Sequence, residues 1–207
     1  MSRKSFATAV WLGGFLGLAM TAGGGAPAQG TAGEPTTVLL VRHAEKADES
    51  ANPPLSPDGL ARAEALARVV GSVGIEAIYA TETCRTAQTV QPLALLLDLP
   101  IRIQPSGVPN GIEDCEPVIV ADTLSFAGDM GTLVDTVLQD HAGGAVLIAG
   151  HSNTVPPLIE AFGAPCPASG CDSTGDRFDN LFVVTVFADR GAGNDSAALA
   201  HLKYGAP

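Results

Sequence analysis

Segments typical of buried strands alternate along this chain with segments typical of helices. The runs TTVLLV, EAIYAT, IRIQ and GAVLIAG are short and mostly apolar, a pattern that favours strands buried on both faces of a sheet. Longer runs with helical spacing, such as LARAEALARVV and CRTAQTVQPLALLL, follow two of them. Strand–helix alternation is typical of a parallel sheet with helices on both faces. The order therefore predicts an α/β fold with three α/β/α layers.

Local signals predict where several helices begin or break. Ser56 is expected to cap the first helix, with Pro57 at its first position. Pro92 lies inside the second helical run and predicts a kink or a break near Val90. A helix with no clear start is expected within ADTLSFAGDMGTLVDTVLQD, and another within TVPPLIEAFG.

The last third of the chain predicts a different strand arrangement. NLFVVTVFA and ALAHLKY flank the turn-rich segment DRGAGNDS, a pattern that predicts a hairpin of two strands. The final strand is therefore expected at an antiparallel edge of an otherwise mostly parallel sheet. Residues 105–118 are rich in proline, glycine and acidic residues, and they predict a long loop.

The first thirty residues differ from the rest of the chain. Arg3 and Lys4 precede the apolar run AVWLGGFLGLAM, and APA follows it, which is typical of a secretory signal peptide cleaved before Gln29. The run is shorter than the roughly 20 apolar residues that span a membrane. We expect a periplasmic or secreted protein with no stable membrane span after cleavage. The predicted organisation is a signal peptide at 1–28, a linker at 29–36 and one domain at 37–207.

The charge of the chain limits its partners. The sequence has 22 acidic and 11 basic side chains. Removal of the predicted signal peptide takes away two basic residues and no acidic ones, so the mature chain has a formal charge of −13. A strongly acidic surface argues against nucleic acid and anionic membranes as partners.

Four cysteines predict disulfide bonds in an exported protein. Cys166 and Cys171 flank the short segment PASG, so closure of this pair is easy. That pairing leaves Cys84 with Cys115. Four free thiols are the alternative.

Two arginines and two histidines are expected at one edge of the sheet. Arg42 and His43 end the first strand, Arg85 follows the second, and Gly150–His151 ends the strand GAVLIAG. The carboxyl ends of parallel strands meet at the edge where ligands bind. Guanidinium groups suit phosphate oxygens, and an imidazole can attack phosphorus. Fixed positive charge there stabilises a phosphoryl-transfer transition state.

Three segments resemble one family. LLVRHAEK, YATETCRTAQTVQPLA and VLIAGHSNTVPPLI resemble, in order, the motifs of the histidine phosphatase (phosphoglycerate mutase-like) superfamily, and RFDNLFVV resembles a late strand of its exported bacterial members. The resemblance implies that His43 is phosphorylated and that Arg42, Arg85 and His151 complete a phosphate pocket. It implies no metal and no organic cofactor. The expected enzyme hydrolyses an extracytoplasmic phosphorylated small molecule or saccharide through a phosphohistidine.

The sequence departs from the family pattern near the expected site. Ala44 follows His43 where the family usually has glycine, and Ser152 stands where the acid-phosphatase branch has its aspartate. In the other branch, the proton donor comes from the loop after the second-arginine helix. That loop carries three acidic residues here, and we expect Glu113 or Asp114, rather than Glu116, to act.

Other chemistries can be derived from the same chain. CDSTGDR matches the Cys-x5-Arg pattern of cysteine phosphatases with Cys171 as nucleophile, but a strand follows it and its two aspartates would repel an anion. GHSNT resembles a serine-hydrolase elbow at Ser152, with Thr154 where the last glycine belongs. A non-catalytic binding protein for phosphorylated ligands is a third alternative. His141 and His201 are expected to be surface or structural residues.

Overall fold

The computed structural model describes residues 33–105, 111–117, 119–166, 171, 174–175, 177–188 and 196–205. In chain order the elements are β1 (Thr36–Arg42), α1 (Pro57–Val70), β2 (Ile75–Thr81), α2 (Cys84–Leu97), β3 (Ile101–Gln104), β4 (Thr123–Ser125), α3 (Met130–Asp140), β5 (Ala145–Gly150), α4 (Val155–Ala161), β6 (Asn180–Val186) and β7 (Ala197–Lys203). The predicted signal peptide and residues 29–32 of the predicted linker lie outside the described residues.

The strands of the described segments form one sheet in the order β4-β3-β2-β5-β1-β6-β7. β1 to β5 are parallel to their neighbours within this group, β6 is antiparallel to β1, and β7 is antiparallel to β6. The mostly parallel sheet with an antiparallel edge strand is thus confirmed. The order places β5 between β1 and β2, so the ends of these three strands are neighbours.

Helices cover both faces of the sheet. α1 and α2 lie on one face, where Leu66 and Leu93 pack in a cluster with Leu147 of β5. α3 and α4 lie on the other face, where Leu133 and Ile159 pack in a second cluster. Successive side chains of a strand point to opposite faces, so the central strands contain continuous apolar runs because both faces are buried. The predicted three-layer α/β/α architecture is confirmed.

Two helix predictions have different outcomes. Ser56 caps α1, since its Oγ accepts a hydrogen bond of 3.1 Å from the Gly59 N–H, and Pro57 is the first helical residue. Of the kink or break expected near Val90, the break does not occur, because α2 continues as one helix through Pro92. Val90 and Leu93 are fully buried in the cluster between α2 and the sheet. Packing of this kind stabilises a helix beyond its local propensity, and it compensates for the hydrogen bond that proline cannot make.

One strand of the sheet was not expected. The three-residue edge strand β4, which pairs with β3, was not predicted from the sequence. Its residues are all exposed, so it lacks the apolar pattern of a buried strand.

Cys84 is bonded to Cys115 and Cys166 to Cys171. This is the pairing that the easy closure of the segment between Cys166 and Cys171 suggested. In the described part of the chain, no helix has both the length and the apolarity needed to cross a membrane.

Candidate active site

A cavity of about 630 Å³ opens where β1, β2 and β5 end. Arg42, His43, Arg85 and His151 all line it. The backbone N–H of His43 donates a 2.9 Å hydrogen bond to the Gly150 carbonyl, which joins the ends of β1 and β5. The structure therefore brings together the four residues that the sequence placed at this edge.

His43 is buried and has a defined orientation. Its Nδ1 lies 2.8 Å from the Ala44 carbonyl oxygen, and a carbonyl can only accept, so we assign the proton to Nδ1. The unprotonated Nε2 is then the nucleophilic nitrogen. Burial lowers the pKa of His43 to about 3, and the nearby positive charges of Arg42 and Arg85 lower it too. The ring is therefore neutral at physiological pH.

His151 lies beside His43 at the start of the loop between β5 and α4. The two ring centroids are 5.4 Å apart, and the His151 Nε2 is 2.8 Å from the Thr81 Oγ1 at the end of β2. The backbone N–H of His151 donates a 2.8 Å hydrogen bond to the Thr154 Oγ1. A Cβ on Gly150 would be 2.6 Å from that same oxygen, so this turn requires glycine. Burial lowers the pKa of His151 to about 4, and Arg85 and Arg42 act in the same direction.

The two arginines are held differently. The Arg42 Nη1 donates a 2.6 Å hydrogen bond to the Gly175 carbonyl, and its guanidinium lies 4.3 Å from the centre of the Phe178 ring. Arg85 lies in the first turn of α2, and its Nη1 is buried with no hydrogen-bond partner among the described residues. Burial lowers the pKa of Arg85. A buried guanidinium nitrogen without a partner is a donor for the oxygen of a bound anion.

Thr89 of α2 contacts the backbone of Ala44, the residue after His43. Its Oγ1 accepts a 2.9 Å hydrogen bond from the Ala44 N–H and donates one of 2.6 Å to the Arg85 carbonyl. Thr89 is fully buried. One hydroxyl group therefore holds the backbone N–H of Ala44, the residue whose carbonyl oxygen contacts the His43 ring.

The loop between β1 and α1 supports the same region from the other side. The Asn52 Oδ1 accepts a 2.9 Å hydrogen bond from the Cys84 N–H at the start of α2. Glu45 accepts two hydrogen bonds, of 2.8 and 2.9 Å, from the Arg62 Nε. These contacts hold the segment after His43 against α1 and α2.

The sequence profile of the histidine phosphatase superfamily (branch 1) matches residues 38–106. Residues 38–106, one third of the chain, are thus similar to this superfamily. The matched region contains three of the four predicted site residues, Arg42, His43 and Arg85, and the fourth, His151, meets them in the cavity. The family match supports a phosphatase enzyme. No curated protein sequence matches this chain.

Solved structures with the same fold include two proteins that are named as phosphatases. A protein histidine phosphatase SixA complexed with tungstate is 18% identical, with a TM-score of 0.53 and coverage of 81% of this chain and 96% of its own. A mycobacterial glucosyl-3-phosphoglycerate phosphatase is 14% identical, with a TM-score of 0.53 and coverage of 84% and 100%. Bacillus stearothermophilus YhfR is 20% identical, with a TM-score of 0.50 and coverage of 73% and 91%. At these identities the likeness shows the fold.

Not every residue that the sequence suggested for catalysis lies in the cavity. Glu113 and Asp114 are exposed, and neither is among the described residues that line it. Glu116 is exposed as well. Ser152 does line the cavity. Cys171 is bonded to Cys166, so this structure leaves it no free thiol.

The two remaining histidines lie outside the cavity. His141 is partly buried and lies 2.9 Å from a carboxylate oxygen of Glu76 and 3.1 Å from the hydroxyl of Tyr79. His201 is exposed and hydrogen-bonds to Asn180. Sequence reasoning missed Tyr79, Thr81 and Thr89 as residues of the site. Their positions within the second-arginine segment YATETCRTAQTVQPLA were the available signal.

Proposed function

We propose that this chain hydrolyses phosphate monoesters outside the cytoplasm through a phosphohistidine formed on His43. The observation that carries the proposal is the neutral, oriented His43 ring, which lies in a cavity shared with His151 and two guanidinium groups. A neutral imidazole with a free Nε2 is a nucleophile, and adjacent fixed cations stabilise charge on a transferring phosphoryl group. The complex of a SixA phosphatase with tungstate, an oxyanion, is consistent with this assignment.

The reaction has two displacement steps. The His43 Nε2 attacks phosphorus, the bond from phosphorus to the ester oxygen breaks, and that oxygen leaves with the bonding electrons and takes up a proton. Water then attacks phosphorus, the P–N bond breaks, and inorganic phosphate and the original imidazole form. Arg42, Arg85 and His151 contact the equatorial oxygens in both steps. Guanidinium donors gain strength as negative charge increases on those oxygens.

The proton for the leaving oxygen needs a donor. Glu113 and Asp114 remain sequence predictions for this role, without a place in the described cavity. Glu49 is the one carboxylate residue among the described cavity-lining residues, and it forms an ion pair with Lys46. Glu49→Gln, Glu113→Gln and Asp114→Asn can be compared on an alkyl phosphate and on p-nitrophenyl phosphate, whose leaving group needs no proton. Loss of the proton donor should slow the alkyl ester at least tenfold more than the aryl ester.

The central experiment is rapid quench of the enzyme with a radiolabelled phosphomonoester. We expect a label that is acid-labile and survives alkali, as a phosphohistidine does. His43→Ala should abolish both label and turnover, and His151→Ala should slow labelling but leave a trace. His201→Ala is the matched control, because this exposed histidine lies away from the cavity. Full turnover in His43→Ala, or an acid-stable label, would refute the mechanism.

The same experiment separates the alternatives. Ser152→Ala should stay within about tenfold of the wild-type rate, roughly 1.4 kcal/mol of barrier, because Ser152 is not the nucleophile. A serine hydrolase would lose its activity in this variant. A non-catalytic binding protein would bind tungstate but form no labelled intermediate and release no phosphate.

A further inference from the structure

Three threonine hydroxyl groups form a hydrogen-bonded chain that ends at His151. The Thr81 Oγ1 lies 2.8 Å from the His151 Nε2 and donates a hydrogen bond of 3.1 Å to the Thr86 Oγ1. The Thr86 Oγ1 also lies 2.7 Å from the Thr83 Oγ1. Thr83 and Thr86 are buried at the start of α2, and Thr81 and Thr83 line the cavity. The turn between β2 and α2 therefore contacts one of the two site histidines through a buried network.

Thr86 sets the direction of the hydrogen bonds in this chain. A threonine hydroxyl group has one proton to donate and two lone pairs that accept. The Thr86 Oγ1 lies 2.7 Å from the Thr81 carbonyl oxygen and 3.0 Å from the Thr83 carbonyl oxygen, and these oxygens can only accept. The Thr86 proton therefore points to the carbonyl groups, and its lone pairs accept the protons of the Thr81 and Thr83 hydroxyl groups.

The same accounting assigns the proton of a neutral His151. Thr81 donates its single proton to Thr86, so its Oγ1 can only accept a hydrogen bond from the His151 Nε2. The proton of the neutral ring is then on Nε2, and Nδ1 keeps a lone pair. Nδ1 has no hydrogen-bond partner among the described residues. It is the ring nitrogen that remains for a ligand in the cavity.

The charged groups around His151 favour its neutral form before a ligand binds. Burial lowers the pKa of His151 to about 4, and Arg85 and Arg42 act in the same direction. In the described lining, β3, α3, β5 and α4 contribute no ionisable side chain. The remaining ionisable side chains come from β2 and the loop after β1, and they are His43, Tyr79, Lys46 and Glu49. The one carboxylate among them is paired with Lys46, so the negative charge that favours a protonated His151 has to come from a ligand.

We propose that Thr81 and Thr86 hold His151 so that it binds the phosphoryl group together with a second proton, as an imidazolium. This inference rests on the proposed phosphatase function. Because the Nε2–H is directed at Thr81, a hydrogen bond from the ring to a phosphoryl oxygen has to come from Nδ1. The proton for Nδ1 comes from solvent or from a monoester monoanion, and it returns to solvent when inorganic phosphate leaves. The imidazolium adds positive charge where the transferring group needs it, and Thr81 acts through His151 as a positioning residue.

Nitrogen chemical shifts of the His151 ring test this assignment, because they show which ring nitrogens carry protons. At neutral pH, we expect a proton on Nε2 alone in the unliganded enzyme and on both nitrogens after tungstate binds. Thr81→Val removes the acceptor, so the unliganded ring should carry its proton partly on Nδ1. Thr81→Ser should restore the wild-type pattern. A proton on Nδ1 in the unliganded wild-type enzyme would overturn the inference.

Calorimetry of tungstate binding in buffers with different ionisation enthalpies counts the protons that are taken up. The wild-type enzyme should take up about one proton per bound tungstate. Thr81→Val should take up less than about half as much, because a neutral His151 can then donate from Nδ1. Thr36→Val is the matched control, since it removes a threonine hydroxyl group at the far end of β1 and should keep the wild-type uptake. Equal uptake in Thr81→Val would assign the proton to another group and refute the inference.

Rapid quench distinguishes the inference from the function on which it rests. Thr81→Val should slow labelling of His43 about tenfold, because a neutral donor replaces a charged one, and Thr81→Ser should recover most of the rate. A normal His43 label in an enzyme whose unliganded His151 carries its proton on Nδ1 would refute the inference and leave the phosphatase assignment in place. Proton uptake with tungstate, without hydrolysis of any ester, would support the role of Thr81 and refute the phosphatase assignment.

Discussion

Thr89→Val removes one hydroxyl group and keeps the shape of the side chain. The hydroxyl accepts the Ala44 N–H at 2.9 Å in a fully buried position. A buried donor that loses its partner costs about 1–3 kcal/mol of unfolding free energy. In a chain of this size, each kcal/mol lowers Tm by about 2–4 °C. Thermal unfolding of Thr89→Val should show this decrease.

The same change should slow phosphorylation of His43. The Ala44 carbonyl oxygen lies 2.8 Å from the His43 Nδ1, and release of the Ala44 N–H from Thr89 should loosen the backbone of Ala44 and so weaken that hydrogen bond. Weakening of one neutral hydrogen bond is worth about 0.5–1.5 kcal/mol, which corresponds to roughly a two- to tenfold lower rate. KM should change little, because the phosphate-binding groups remain. Single-turnover labelling measures this rate directly.

Thr36→Val is a matched control for stability. The Thr36 Oγ1 also accepts a backbone N–H, from Gly143 at 3.0 Å, but it lies at the start of β1, at the opposite end from the site. Both valine variants should lose similar stability, and only Thr89→Val should lose labelling rate. Thr89→Ser should recover most of the rate. If both valine variants label at the wild-type rate, Thr89 has only a structural role.

Three further predictions concern charge, protons and thiols. Arg85→Ala should weaken competitive inhibition by phosphate about 10- to 100-fold, which corresponds to the loss of a charge-assisted hydrogen bond. Arg85→Lys should recover only part of this inhibition, because the planar fork of the guanidinium is lost. Unchanged inhibition in Arg85→Ala would place the anion elsewhere. Burial lowers the pKa of His43 to about 3, against 6.5 for the unfolded residue. Between these values the unfolded chain binds more protons, so the free energy of unfolding should decrease as the pH is lowered, by about 2 kcal/mol for this group at pH 5 relative to pH 8. Denaturant titrations should show a smaller loss for His43→Asn, and equal losses would contradict the pKa. Intact-mass measurement of mature protein alkylated without reductant should show no added alkyl group, and four alkyl groups would exclude both disulfides. Reduction of Cys84–Cys115, which has a sequence separation of 31, should lower the free energy of unfolding by about 3–4 kcal/mol.

The central fold could be predicted because its signals are local. The strands before Arg42 and before His151 are continuous apolar runs, and Ser56–Pro57 is a strong helix start. These patterns fix element type and order, which is sufficient to bring the strand ends together. The edge strand β4 has neither pattern, since its pairing depends on the position of β3 and not on its own burial. The helix break that Pro92 predicted did not occur for a related reason, because packing of α2 on the sheet outweighed the local preference of proline to end a helix.

The candidate site, like the fold, could be predicted from the sequence only in part. His43 and Arg85 could be predicted because His43 directly follows β1 and Arg85 lies in the first turn of the helix after β2, where chain order determines position. The contribution of Tyr79 and Met130 to the cavity lining was not predictable, because they come from different elements and meet only after the helices pack. Their pattern in the sequence is that of any buried face. The same difficulty holds for a proton donor on the loop predicted at residues 105–118, since loop geometry does not follow from strand order.

Burial connects the chemistry of this site to its stability. Arg42 and Arg85 supply the positive charge, and burial together with that charge keeps His43 and His151 neutral. A protonated His43 would have no lone pair for phosphorus, so the low pKa keeps the nucleophile that we propose neutral at neutral pH and in mild acid. The same low pKa favours the unfolded state in acid. Any substitution that makes the region around His43 more polar should therefore increase acid stability and reduce the fraction of neutral nucleophile.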